Sequence, residues 1–216
     1  MARVRPSFHH EAPLWAAGQL VVGVDEVGRG ALAGPVVAAA CLLPPWVTLP
    51  VDVFDSKQMT RPQRERAFHV IRQCGIVAVG AASHREIDRY DIRRATAVAM
   101  WRALQRLPHW DVLLYDGLPM HEFSQPGMHA LVDGDQRCLS IACAAIVAKV
   151  IRDDLMARLA RRYPVYGWDE NAGYGTARHR QALEQYGPSP FHRRSFAPIA
   201  TLVAQVPSLT VGERRR

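Results

Sequence analysis

Segments of strand length alternate with segments of helical length along most of this 216-residue chain, the pattern of an α/β protein. Three features carry that expectation. Residues 20–26 and 112–117 are apolar runs that lead into acids with glycine close behind. Helix-length stretches lie between and after them, at 62–73, 87–107 and 140–161. The last is rich in alanine (Ala142, Ala144, Ala145, Ala148), and small side chains permit close packing on a sheet.

Residues 1–18 read as a loosely held N-terminal extension; a main domain follows over 19–205 and a basic tail over 206–216. The first strand rests on Val21, Val22 and Val24, residues suited to a buried, pleated strand. Asp25 and Glu26 stand where it leaves the core. Neighbouring strand side chains point to opposite faces, so both acids can serve one site only if the strand ends or bulges there. Gly28 and Gly30 bracket Arg29, and glycine lets the main chain approach a ligand closely.

A second strand covers 35–43. The polar loop Phe54 to Thr60 leads into helix 62–73, with Thr60 as N-cap, Pro62 in the first turn, and Ala67, Val70 and Ile71 facing inward. Strand 76–82 precedes helix 87–107, whose apolar side holds Ala95, Val98, Ala99, Trp101, Ala103 and Leu104. The strand at 112–117 closes on Asp116-Gly117, and a short strand at 128–132 precedes Gly134-Asp135. Parallel strands that present acids at their carboxyl ends place them in one crevice. Beyond Pro164 the chain turns to short helices and aromatic-rich loops, ending in Arg214-Arg215-Arg216.

Other readings compete at the first strand. An acidic pair after an apolar run is commonly a solvated turn. Gly28-x-Gly30-x-x-Ala33 also fits a dinucleotide fingerprint. Adjacent carboxylates would repel a pyrophosphate there, and Val36-Val37-Ala38 after Pro35 resembles a return strand more than a crossover helix. A membrane span over the uncharged run from Gly30 to Val51 is broken by Gly34, Pro35, Pro44, Pro45 and Pro50.

With 49% hydrophobic residues the chain can bury a substantial core. A formal charge of +7 and an isoelectric point of about 9.7 suit a polyanionic partner. Of 27 basic residues only two are lysines, Lys57 and Lys149; a flexible point charge persists where a site needs one. Cys41, Cys74, Cys138 and Cys143 lack C-x-x-C spacing, as expected of reduced thiols in a cytoplasmic protein. The nine histidines show no zinc spacing, and the first twenty residues show no secretory signal.

Four acids then stand out: Asp25, Glu26, Asp116 and Asp135, all at strand ends or in the loops beside them. Clustered carboxylates repel one another, so they persist at neutral pH only with cations or protons. Oxygen ligands select magnesium or manganese over zinc. Two such ions about 4 Å apart can activate water and stabilise a leaving oxygen in phosphodiester cleavage. No histidine base is required.

Asp25-Glu26-Val27-Gly28-Arg29-Gly30 resembles the signature of type 2 ribonuclease H, the ribonuclease HII family, and the likeness extends over about residues 19–200. It implies a ribonuclease H-like mixed sheet flanked by helices, with a small helical C-terminal region over about 164–205. It also implies that Asp25, Glu26, Asp116 and Asp135 are catalytic metal ligands for Mg2+ or Mn2+. Gly28-Arg29-Gly30 resembles the loop that reads a 2′-hydroxyl, Lys57 in Asp55-Ser56-Lys57 a phosphate contact, and Tyr174 the tyrosine that packs on the next deoxyribose. Asp153, four residues after Lys149, is read as a structural ion pair. His192-Arg193-Arg194-Ser195-Phe196 also matches, as a backbone contact or as tail packing. Asn171-Ala172 replaces the family's frequent His-Lys, and Ala142-Cys143-Ala144-Ala145 its serine-rich helix start.

The resemblance thus implies an endonuclease that cuts the RNA strand of RNA–DNA hybrids, and duplex DNA at embedded ribonucleotides, leaving 3′-hydroxyl and 5′-phosphate ends. A monomer in the cytoplasm, without membrane association, completes the expectation. A non-catalytic nucleic-acid-binding module and a small-molecule phosphohydrolase are the rival functions. Intact acids argue against the first, since negative charge facing phosphates weakens pure binding. The basic charge argues against the second.

Overall fold

The structure, a computed structural model, describes residues 5–205; the basic tail with Arg214–Arg216 lies outside them. Strands β1 (Val21–Val27), β2 (Val36–Leu42), β3 (Ile76–Ala82), β4 (Val112–Asp116) and β5 (Met128–Leu131) form a mixed sheet in the order β3-β2-β1-β4-β5. β1 pairs antiparallel with β2, and β2 with β3, while β1–β4 and β4–β5 are parallel.

Side-chain alternation along β1 decides what each face buries. Val21 packs beneath helix α6 (Leu139–Arg162) with Ala39, Cys41, Ile141, Ala144 and Ala148. Val22 and Val24 pack on the other face with Ala38, Ala40, Met100 and Ala103, the last two from helix α4 (Ile92–Leu104). The alanines of α6 let it lie almost on the sheet: a Cβ built on Gly23 would stand 2.2 Å from the Ser140 carbonyl carbon. Helix α2 (Arg61–Cys74) packs beside α6 and opens with the reciprocal Thr60–Gln63 capping box. A third apolar cluster joins Leu32 and Ala33 to the C-terminal region through Met156, Tyr166, Trp168, Leu183 and Ile199.

Three expectations are corrected. Of the segment before β1, residues 1–4 lie outside the described residues, and residues 5–18 are not loosely held. Helix α1 (Ala12–Ala16) buries Trp15, and Glu11, fully buried, accepts from the Ser140 amide at 2.9 Å, satisfying a free N–H at the start of α6. The helix expected over 87–107 is two helices, α3 (His84–Tyr90) and α4. They are broken at Asp91, whose φ of 71° ends one while its carboxylate caps the amides of Arg93 and Arg94. Finally, β1 does not end at the acids: its pairing with β2 continues through Asp25, Glu26 and Val27.

Replacing Gly23 by Ala should cost about 3 kcal/mol or more, because the new methyl meets rigid helix backbone rather than a movable side chain. Urea unfolding should show a lower midpoint at an unchanged slope; an unshifted midpoint would mean that α6 can move off the sheet.

Candidate active site

The last registered pair between β1 and β4 is Val24 with Tyr115. One step further along each parallel strand come Asp25 and Asp116, so the sheet itself sets these two acids side by side. Both lie on the α6 face, by alternation from Val21 and Val112. β4 stops at Asp116 whereas β1 runs on to Val27. The edge of β1 is therefore uncovered beyond Asp25, and Glu26 from the opposite face reaches the same crevice. This crevice, of about 430 Å³, is lined by Asp25, Glu26, Ser56, Lys57, Asp116, Ala145, Lys149 and Tyr174.

Asp135 joins through Asp116. The Asp116 carboxylate accepts from the Gly134 amide at 2.7 Å, which holds the short helix α5 (Gly134–Arg137) and its buried Asp135 beside the crevice. Lys57 Nζ stands 3.5 Å from Asp135 Oδ2. Its loop is pinned by Asp55, which accepts from the Lys57 amide at 2.9 Å. Both lysines of the chain thus line one cavity. Lys149 is held at 2.9 Å by Asp153, the expected ion pair one helical turn on.

Burial, then the charges of Glu26, Asp116 and Asp135, hold the Asp25 carboxyl well above its usual range, against one stabilising amide from Glu26 at 2.6 Å. Burial also raises Glu26, although Arg29, at 3.0 Å, opposes it. Burial and Asp116 push Asp135 up to about 6, with Lys57 working against them. Burial would lower Lys57, but Asp135, Asp55 and Asp25 together raise it. Such a set is short of positive charge, and its donors are all carboxylate oxygens, which fit hard divalent cations. Among the described residues no three His, Cys, Asp or Glu side chains stand close enough to enclose an ion. Asp25, Glu26, Asp116 and Asp135 are each turned toward a protein donor instead.

Beside the acids the chain turns tightly over 28–31, the Ala31 amide donating to Gly28 O at 3.3 Å. Gly28 has φ 92°, which a side chain would strain. Gly30 has no such internal need: a Cβ there would meet nothing within 4 Å, so the space it leaves faces outward. Tyr174 lies across the crevice on a loop bound to this turn by the Leu32 amide donating to Gly173 O at 2.8 Å. Asn171 builds that loop locally, donating to Tyr166 O and accepting from the Gly173 amide.

The Tyr174 loop is backed by a buried histidine pair whose protonation the hydrogen bonds dictate. His179 Nδ1 donates to Tyr174 O at 2.9 Å. Its Nε2 accepts from Trp168 Nε1 and from His192 Nε2 at 3.0 Å. His192 Nδ1 accepts from the Ser189 amide at 2.9 Å. Both rings must be neutral, since a proton on either acceptor nitrogen would face another donor. Asp25, Glu26, Asp116, Lys57, Tyr174 and the 28–30 turn all gather here, with Asp135 alongside. Arg152 was not singled out by sequence, and Arg193 only within the His192–Phe196 match. A charge on the inner face of α6, between buried Ala148 and Met156, was the signal for Arg152.

The fold that carries this crevice is shared with solved ribonucleases H. Ribonuclease H2 from Pyrococcus horikoshii OT3 superposes with a TM-score of 0.70 at 24% identity, over 84% of this chain and 96% of that one. Bst ribonuclease HIII in complex with Mn2+ does so with a TM-score of 0.69 at 20% identity, over 91% and 74%. These likenesses define the class, the type 2 ribonuclease H fold. The family model of Ribonuclease HII matches residues 22–199. Ribonuclease HII of Thermosynechococcus vestitus is 54% identical over 193 residues, covering 88% of this chain and 90% of the relative. That of Granulibacter bethesdensis is 50% identical over 199 residues, covering 87% and 88%. The chain belongs to the ribonuclease HII family and is an endonuclease of the ribonuclease H kind. The family acts on RNA–DNA hybrids and depends on divalent metal. No helix among the described residues is long and apolar enough to cross a membrane.

Burial, reinforced by the neighbouring His179, pushes His192 down to about 3, and burial lowers His179; burial lowers the nearby His84 as well. A histidine whose pKa is depressed on folding has no effect above its unfolded value of 6.5, where both states are neutral, and destabilises the fold as pH falls below it. His192 alone should cost roughly 2 kcal/mol at pH 5. The urea midpoint should fall between pH 7 and 5, and fall less in His192→Gln; an identical slope in that variant would remove the pair as the cause.

Proposed function

We propose that the crevice cuts the RNA strand of RNA–DNA hybrids, and duplex DNA at an embedded ribonucleotide, leaving 3′-hydroxyl and 5′-phosphate ends. The observation that carries this reading is the placement of Asp25 and Asp116 at equal height on neighbouring parallel strands, beside a glycine turn with outward-facing space. Asp25, Glu26, Asp116 and Asp135 would hold Mg2+ or Mn2+, which would supply activation of water at neutral pH and charge stabilisation for the leaving oxygen.

The chain's own residues do the rest. The open backbone of Gly28-Arg29-Gly30 meets the 2′-hydroxyl, which only RNA offers. Tyr174 packs against the sugar of the following deoxynucleotide, favouring a junction where RNA passes into DNA. Lys57 and Lys149 bring positive charge to the rim of an acidic pocket that must admit a phosphate. Arg29, held near Glu26 at 3.0 Å, relieves part of the same repulsion.

Asp25→Asn should lower turnover on the order of 10³-fold, several kcal/mol of lost transition-state stabilisation, while hybrid binding stays measurable. Lys57→Ala should raise KM several-fold and alter kcat less. A duplex carrying one ribonucleotide, assayed with and without Mg2+ or Mn2+, decides the matter. Metal-dependent cleavage at the ribonucleotide supports the reading; binding without cleavage, or cleavage of small phosphoesters alone, refutes it.

A further inference from the structure

Two arginines are fully buried beside the crevice, Arg152 on α6 and Arg193 in the C-terminal segment. Among the described residues neither forms an ion pair. Both spend their guanidinium groups on backbone carbonyls. Arg193 donates to Gly28 O and Arg29 O at 2.7 Å and to Gly34 O at 3.0 Å. Arg152 donates to Pro35 O at 2.9 Å, Ala172 O at 2.8 Å and Ala33 O at 3.2 Å. Burying unpaired cations is costly, and burial together with the Arg152 charge pulls Arg193 down to about 9. Arginine spreads five N–H donors over a rigid planar fork and so reaches carbonyls set well apart, whereas lysine offers three donors from a single nitrogen.

The direction of these bonds bears on ribose recognition. In a planar trans peptide the C=O and N–H point opposite ways. With the carbonyls of Gly28 and Arg29 drawn inward, the amides of Arg29 and Gly30 point away from Arg193. Neither amide has a hydrogen-bond partner among the described residues. Arg152 packs directly under the turn, where a Cβ on Gly28 would stand 2.1 Å from its Nε. The same guanidinium lies 5.5 Å from the centre of the Tyr174 ring and binds Ala172 on the Tyr174 loop.

We propose that Arg152 and Arg193 are positioning residues for ribose discrimination. Arg193 aims the Arg29 and Gly30 amides at the sugar hydroxyl, and Arg152 fixes the spacing between that turn and Tyr174. The inference rests on the ribose-reading role given above to Gly28-Arg29-Gly30.

The test measures binding without turnover, in the Asp25→Asn protein with metal present. A duplex holding one ribonucleotide is compared with the same duplex entirely of DNA. Arg193→Lys and Arg152→Lys, made separately, should each reduce the ribonucleotide-to-DNA affinity ratio about fivefold, the value of one hydrogen bond, and leave all-DNA affinity unchanged. Asp88→Asn is the structural control. Asp88 anchors the amides of Arg194 and Ser195 without touching the turn, so its loss should lower thermal stability and leave the ratio intact. An unchanged ratio in the lysine variants, or an equal drop in Asp88→Asn, overturns the proposal. If neither lysine variant folds, the pair is a folding element and the proposal falls. No ribonucleotide preference in the Asp25→Asn parent would instead refute the ribose-reading role beneath it.

Discussion

Electrostatic repulsion among four partly or fully buried carboxylates is the constraint to which the surrounding structure answers. The parallel pairing of β1 with β4 forces Asp25 and Asp116 together, and the Gly134–Asp116 hydrogen bond adds Asp135. Left alone, such a group would take up protons, the direction in which Asp25, Glu26 and Asp135 are pushed. Lys57 and Arg29 offset only part of this and are themselves half-exposed or more. The framework that bears the strain is correspondingly stiff: alanines and Gly23 seat α6 against β1, and α6 also carries Lys149 and Arg152 to the site. A core of this kind transmits little give, so the acids keep their spacing.

A second layer of the design runs from the C-terminal region back to the strand end. The stretch 31–34 after the glycine turn is gripped by backbone bonds from Leu32 to Gly173, from Gly34 to Phe191, and from Arg193 to Leu32. Behind these lie the neutral histidine pair and Trp168. The helical C-terminal part therefore acts as the wall that holds the turn and Tyr174 at a fixed separation. The match of His192-Arg193-Arg194-Ser195-Phe196 to the family finds its physical meaning there: His192 and Arg193 face inward, and Arg194 and Ser195 are tied to Asp88.

Much of this was legible in the sequence because the signals were local. An apolar run ending in an acid and followed by glycine identified both central strands, and Thr60 with Pro62 marked the start of α2. What was missed depended on distant partners or on a single backbone angle. Glu11 finds its partner 129 residues away at Ser140, so the segment around it read as loose. Asp91 breaks a helix through its own positive φ, while the apolar periodicity on both sides suggested continuity. The expectation that β1 must end or bulge was reasonable for two adjacent acids. The structure solves the problem by shortening the neighbour, β4, an arrangement that only the sheet order reveals. The rarity of lysine was a weak hint that proved spatially coherent, since Lys57 and Lys149 line one cavity.

The central claim is that these carboxylates, as placed by β1 and β4, gather hard divalent ions. The most direct measurement is anomalous scattering from crystals of the protein grown with manganese. The account predicts an anomalous peak between the Asp25 and Asp116 carboxylates, with Glu26 or Asp135 turned toward it. Well-ordered crystals with no peak there, or with manganese bound only elsewhere, would contradict it.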